Sequence, residues 1–406
     1  MPVNSKKQID FNISYQQNYY CQVRINDTPL IPGNIISLII REWAFELVPR
    51  FHLIFQDDGL FSEISTLQDL DKITIEIART PDTDKTFQGE FCVIDWKCNV
   101  LADNRLHIIE VTGLLNTPSL YYPIKTRSFS NKTSIDTIKT IANECNLIPK
   151  ERNGFTKSID TMTWLQIGQT NLNFIKHVLS KSFKNKDGIL IYCNSKKELN
   201  ITSLNTELNK MDEISAKYNP MKFSENVLSE EDQNVLWYAN YDYINTNGYL
   251  NQINNYGTGY NYYDLEKNII NKYNDNSHKY SELGFKNKNA YNSLSNWNIF
   301  GIQSNNVHKN FLKAISQNSY FIKNFFGFSL VLNVHASIKV NLMDTIMLTV
   351  PSLPYIDPNS INELLSGKYL VGGIVYIIGK GQGFQKQISL HRNGMNKSIF
   401  QEEYNI

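Results

Sequence analysis

Asp71-Lys-Ile-Thr-Ile-Glu-Ile77, Gly89-Glu-Phe-Cys-Val-Ile-Asp-Trp96 and His107-Ile-Ile-Glu-Val111 are short segments of one pattern, and a second stretch of the chain repeats it. That second stretch reads Asp344-Thr-Ile-Met-Leu-Thr-Val350, Gly367-Lys-Tyr-Leu-Val-Gly-Gly-Ile374, a turn at Gly379 to Gly383, and Lys386-Gln-Ile-Ser-Leu390. The aspartates are 273 residues apart (344 − 71) and the glycines 278 (367 − 89). The five extra residues fall in Pro351 to Ser366, a loop where insertion is cheap. In Ile73, Ile75 and Ile77 the apolar side chains share one face and Thr74 and Glu76 the other, the mark of a strand buried on one side. The chain is expected to carry two versions of one small β module. Three such chains around an axis present six similar modules, because a duplicated subunit halves the number of chains a closed ring needs.

Outward from these segments, short β-branched and aromatic runs fill the first third: Cys21 to Asn26, Asn34 to Arg41, Phe51 to Phe55, Phe91 to Cys98 and Arg105 to Leu114. After Pro118 the period changes. Ile135, Ile138, Ile141, Ala142 and Cys145 predict a helix capped by Thr133 or Ser134, and Phe174, Ile175, Val178 and Leu179 a second, capped by Thr170 or Asn171. Gly188 to Cys193 and Glu198 to Thr202 read as a hairpin. From Glu207 to His308 the chain is rich in Asn, Tyr, Lys and Gly, densest at Asn254 to Tyr263, and is read as an ordered interface segment. Leu330, Leu332 and Val334 alternate as a barrel wall does.

The expected class is α+β, mainly β. Two duplicated barrel-like domains, residues 1–117 and 310–406, are split by an α/β insertion at 118–206 and an Asn/Tyr-rich insertion at 207–309.

Composition narrows the function. Forty basic and thirty-nine acidic residues leave a net charge of +1, which argues against a dedicated nucleic-acid binder. No eighteen apolar residues run together, so no integral membrane segment is expected, and the N-terminus lacks a secretory core. Five cysteines lie without CxxC spacing, with Cys92 and Cys98 placed on one face by their separation of six. No HExxH, GxSxG or GxxxxGK[ST] occurs, so no catalytic residue, cofactor or metal ligand is assigned. Gly379 to Gly383 sits between strands and reads as a hairpin turn rather than a phosphate loop, and Asp57-Asp58 with Glu63 as a solvated turn rather than a glycosidase pair.

Thr163-Trp-Leu-Gln-Ile-Gly-Gln-Thr-Asn-Leu-Asn-Phe-Ile-Lys-His-Val178 resembles a segment of phage baseplate hub proteins, in which Gln-Ser/Thr-Asn leads into a Phe-bearing helix. Ser366 to Tyr376 and Leu390 to Asn396 are similar to that family's terminal strands. The family includes the hubs of contractile-tailed phages and the hub half of VgrG proteins. The resemblance implies two barrel-like tube domains and a homotrimer, a structural virion protein that joins a three-fold spike to a six-fold tail tube. It implies no enzyme. Its partners would be a tail spike protein, a tube protein or tube-initiating ring, other baseplate proteins and the tape-measure protein, and its location the virion tail baseplate after synthesis in the host cytoplasm. Only ten residues follow Asn396, so the spike is expected to be a separate protein. The alternative is a tail-associated glycan-binding protein or a cell-wall or capsule hydrolase, its Tyr-rich insertion stacking on sugar rings.

The residues picked out as a ring interface or structural motif are Asp71, Ile75, Gly89, Trp96, Asp344, Leu348, Gly367, Tyr369 and Gly394. Asp71 and Asp344 have two readings, inter-subunit salt bridges or shaping of the turn before each strand.

Overall fold

The computed structural model describes residues 19–64, 66–79, 85–101, 106–152, 155, 157–185, 187–210, 213–225, 228–245, 258–264, 269–275, 298–303, 307–311, 313–315, 317–318, 321, 327–352, 360–380 and 383–392. The first group of strands is β1 (Tyr20–Ile25), β2 (Thr28–Pro29), β3 (Ile35–Trp43), β4 (Arg50–Asp57), β5 (Lys72–Ala78), β6 (Lys85–Leu101) and β7 (Leu106–Leu115). Then come α1 (Pro118–Tyr121), β8 (Ile124–Lys132), α2 (Ser134–Glu144), β9 (Ile148–Glu151), β10 (Met162–Thr170), α3 (Asn171–Ser180), β11 (Ile189–Cys193), β12 (Glu198–Ser203) and α4 (Leu204–Leu208). The remainder is β13 (Glu213–Tyr218), α5 (Pro220–Ser224), β14 (Val235–Asn245), β15 (Thr258–Asp264), β16 (Ile269–Asp275), β17 (Asn298–Gln303), β18 (Phe328–Val334), β19 (Thr345–Thr349), β20 (Gly367–Gly379) and β21 (Gly383–Arg392).

Thirteen strands form one sheet, in the order β19-β13-β14-β18-β21-β20-β3-β4-β7-β6-β5-β1-β2. Because β19 also pairs with β20, the first six of that order close into a barrel. Closure removes the edges that a free sheet leaves exposed. The other half departs from the expected first barrel: among the described residues no pairing joins β1 to β3, so it stays open and continues into the closed barrel through β3 and β20. A second correction concerns the 207–309 segment. Its strands β13 and β14 are walls of the closed barrel, and only β15, β16 and β17 form a sheet of their own. The Asn254 to Tyr263 stretch lies partly outside the described residues.

The two halves share their pairing register. Ile75 faces Gly89 and Leu348 faces Gly367, so the 273- and 278-residue spacings (348 − 75 and 367 − 89) are kept across the ladder. Both long strands carry a bulge at the matching place, between Val93 and Asp95 in β6 and between Val371 and Gly373 in β20. Less legible in the sequence, β3 and β14 also correspond: each is bulged against its partner, between Ile35 and Ser37 and between Tyr238 and Asn240. A bulge adds one residue and so exchanges the two faces of a strand. Phe87, Phe91 and Val93 point into the core before the β6 bulge, whereas Trp96 and Cys98 do so after it. For that reason Cys92 and Cys98 lie on opposite faces, against the expectation from their spacing.

One apolar cluster runs through both halves, from Val23, Leu53 and Ile75 to Leu332, Ile374 and Ile388, with Phe87 and Tyr376 ring centroids 4.9 Å apart. The α/β insertion has its own core around Ile138, Ile141, Trp164, Phe174, Val178, Ile191 and Ile201. Thr133 caps α2 by accepting from Asp136 N–H, and Thr170 caps α3 by accepting from Asn173 N–H. Asn171, buried at the start of α3, donates to the Ser119 carbonyl at 2.9 Å and accepts from Arg127 at 3.1 Å, and Phe174 stacks on Phe129. The Gln-Thr-Asn run ahead of a Phe-bearing helix therefore has a local physical role: cap, buried polar tie and core ring in sequence.

Gly113 of β7 is a tight point in the first sheet. A Cβ there would lie 2.3 Å from the Cys92 carbonyl oxygen and 2.3 Å from the Phe51 ring. Backbone cannot give way as a flexible side chain can, so Gly113→Ala is expected to destabilise the protein by about 2 kcal/mol or more, read as a lowered denaturant midpoint.

Candidate functional site

The repeated turn before β5 and β19 is built alike in both halves. Asp71 Oδ2 accepts from Gln68 N–H at 2.8 Å, and Asp344 Oδ2 accepts from Asn341 N–H at 2.8 Å. Leu70 and Met343 then take positive φ, 71° and 64°. Their N–H groups donate to Val93 O and Val371 O, which anchors each turn to the long strand beside it. Side-chain bonding to local backbone lowers the cost of this left-handed step. Both aspartates thus shape turns within their own chain.

Asp344 has a further partner. Arg152, leaving β9, reaches Asp344 Oδ1 at 3.3 Å, Glu207 Oε1 at 3.1 Å, the Tyr192 hydroxyl at 2.7 Å and the Leu342 carbonyl at 2.7 Å. Glu207 is buried and also meets Lys210 and Thr202. This network ties the α/β insertion to the closed barrel. Lys197 to Glu90 at 2.9 Å and Ser195 N–H to Glu42 at 2.9 Å tie it to the open sheet.

Three of the other singled-out residues belong to the interior. Ile75, Leu348 and Tyr369 are buried in the common core, so none of their side chains can form a ring contact. The Tyr369 hydroxyl donates to Leu365 O at 2.5 Å beneath the Arg392 guanidinium, 4.4 Å from the ring centre. Gly89 sits under Phe87 and Phe91, where a Cβ would come within 2.9 Å of the Phe91 ring, and Gly367 adopts φ +127°, a conformation that favours glycine. Trp96 is half-buried against the core on the extension of β6 past its bulge. Gly394 lies outside the described residues.

What the sequence did not reveal is a pair of strand edges. In the second half, the extension of β20 past its bulge, Gly373 to Gly379, is covered by β3. The matching extension of β6, Asp95 to Leu101, pairs with β7 on one side, and β5 stops at Cys92 on the other. Likewise β13 covers β14 only from Val235 to Tyr238, leaving Asn240 to Asn245 paired with β18 alone. Among the described residues no strand pairs with either remaining edge. Val100 is 52% exposed on the first, and Tyr243 and Ile244 are 51% and 58% exposed on the second. The signal for these edges was the length of β6, which outruns its neighbour.

Asp57, which burial pushes up, is held below the usual carboxylate range by Ser62 Oγ–H and by the N–H groups of Phe61, Ser62 and Gly59. Its carboxylate is occupied as a turn cap rather than paired with Glu63. A cleft of about 620 Å³ beside α3 is lined by Ile39, Arg41, Phe45, His52, Leu114 and Lys176, with His52 bonded to Glu110 at 2.8 Å. Among the described residues no group of three His, Cys, Asp or Glu side chains is placed to hold a metal, and no helix is long and apolar enough to cross a membrane.

No family model matches the sequence, and no curated protein sequence matches it. Solved structures do. A 43 kDa tail protein of prophage MuSo2 from Shewanella oneidensis superposes with a TM-score of 0.58 at 11% identity, over 93% of this chain and 100% of that one. The two share one fold. A tail protein from Neisseria meningitidis superposes with a TM-score of 0.55 at 10% identity, over 93% of this chain and 98% of that one. At such identities the similarity is one of architecture.

Asp71→Ala is expected to cost about 1–2 kcal/mol, and Asp344→Ala about 2–4 kcal/mol because Arg152 also loses an ion partner, both read by chemical denaturation. His391, buried under β20 where a Cβ on Gly372 would lie 2.2 Å from its ring, faces Trp43 of β3 at 6.3 Å. Burial holds its pKa down at about 4 against an ordinary 6.5. Between those values the unfolded chain binds more protons than the folded one. The stability His391 permits is therefore present above about 6.5 and lost as pH falls toward 4, by about 3 kcal/mol, measurable as denaturation midpoints across that range.

Proposed function

We propose that the chain is a structural virion protein, the central hub of a phage tail baseplate, acting as a homotrimer that adapts a three-fold spike to a six-fold tail tube. The observation that carries this is the repeated register: turn, bulge and ladder recur in two halves of one chain. Three chains then offer six comparable sheet units to a tube of six subunits, and closed rings are the usual form of such assemblies. The likeness to solved tail proteins over nearly the whole chain supports the same reading.

The role is mechanical, not enzymatic. Asp71, Asp344 and Asp57 are spent on turns, and Ile75, Leu348 and Tyr369 on the core, so the singled-out residues act as framework. The partners on this reading are further copies of the chain, a tail spike protein, the tube protein or tube-initiating ring, other baseplate proteins and the tape-measure protein, and its place is the tail baseplate of the virion.

Native mass measurement of the purified chain is the direct test. A species of three times 46.9 kDa is expected, with three-fold particles by electron microscopy. A monomer at every concentration, alone or with its spike, would overturn the assignment.

A further inference from the structure

We propose that the exposed edge of β6, Asp95 to Leu101, pairs antiparallel with the exposed edge of β14, Asn240 to Asn245, of a second copy of this chain, in the register that joins β20 to β3 within one copy. This rests on the hub reading and names the contact that would build its ring.

The inference comes from the internal junction. Its template runs from Gly373 opposite Trp43 to Gly379 opposite Ser37. β6 corresponds to β20 at an offset of 278, as the matched bulges at Val93/Asp95 and Val371/Gly373 require (371 − 93). β14 corresponds to β3 at an offset of 203, because Ser37 follows one bulge as Asn240 follows the other (240 − 37). Each of the two junction strands therefore occurs twice in the chain, but only one pair, β20 with β3, meets internally. The other pair, β6 with β14, is left with both edges open among the described residues. A second copy supplies the missing half on each side. Carried over residue by residue, the junction places Trp96 opposite Asn245, Cys98 opposite Tyr243, Asn99 opposite Asp242 and Val100 opposite Tyr241.

Hydrogen bonding agrees with this placement. Ala44 N–H donates to Gly372 O and Lys380 N–H to Ile36 O, each at 2.9 Å. By the alternation of a strand, Ile374, Tyr376 and Ile378 then turn their peptide groups toward β3. The matching residues of β6 are Trp96, Cys98 and Val100, whose peptide groups face the open edge. Those of β14 are Tyr241, Tyr243 and Asn245. The half-exposed Val100, Tyr243 and Ile244 are side chains that this pairing would cover. An unpaired edge with apolar side chains is an aggregation hazard unless a specific partner covers it.

Asn99 and Asp242 form a non-hydrogen-bonded pair in this register, which brings Cα atoms to about 4.5 Å, within reach of a disulfide. In a Cys98→Ser background, Asn99→Cys with Asp242→Cys is expected to shift most of the protein on oxidation from one chain to a covalent trimer on a non-reducing gel. Asp95→Cys with Asp242→Cys, four residues out of register, is expected to leave it as single chains. Val100→Pro removes only the N–H that faces the open edge, so it should keep the melting temperature of the single chain and lose the trimer. A native-mass trimer that does not cross-link through Asn99→Cys and Asp242→Cys, or that cross-links equally in the shifted pair, overturns this pairing and leaves the hub reading standing. A trimer that survives Val100→Pro unweakened also overturns it. Absence of any trimer takes down both.

Discussion

Seven residue pairs between β3 and β20 turn an open sheet and a closed barrel into one continuous surface of thirteen strands. Buried peptide groups must be paired, and an open sheet beside a closed barrel leaves a row of them at each seam. The β3–β20 ladder satisfies that row inside the chain. It also brings Tyr376 and Phe384 against Phe87 and Tyr19, with centroids 4.9 and 4.5 Å apart, so that both halves bury a common core. Without the ladder the two halves would present separate cores and separate edges.

The ladder depends in turn on the bulges. By exchanging the inward and outward faces of β20 after Val371, the bulge lets Tyr369 and Val371 fill the closed barrel and Ile374 and Tyr376 fill the seam. Gly372 and Gly373 allow the close approach of His391 and Trp43 there. The α/β insertion braces the result from one side, with Arg152 on the turn of Asp344 and Lys197 on Glu90. In such ties the charged groups hold orientation, while the apolar core supplies most of the free energy.

Much of this was legible in single residues. Alternation in Ile73 to Ile77 and in Leu330 to Val334 marked walls buried on one side, and Thr133 and Thr170 marked helix starts, because local backbone chemistry decides both. The turn aspartates were also readable, since Asp71 and Asp344 act within three residues of themselves. Harder to read were β13 and β14. They lie in the Asn- and Tyr-rich stretch read as an interface segment, yet Ala216, Leu236 and Tyr238 are buried in the barrel. Membership of a sheet is set by long-range partners, and composition carries little of that information.

Where strands and helices start, which faces are apolar and that two distant stretches share a turn-and-strand pattern could be read from the residues alone, because these follow from periodicity and from contacts a few residues apart. The fold alone places one of these stretches in a closed barrel and the other in an open sheet, turns Cys92 and Cys98 opposite ways, and sets which edges meet. Those outcomes turn on single-residue bulges and on pairings between segments some three hundred residues apart, where a shift of one position reverses every side chain.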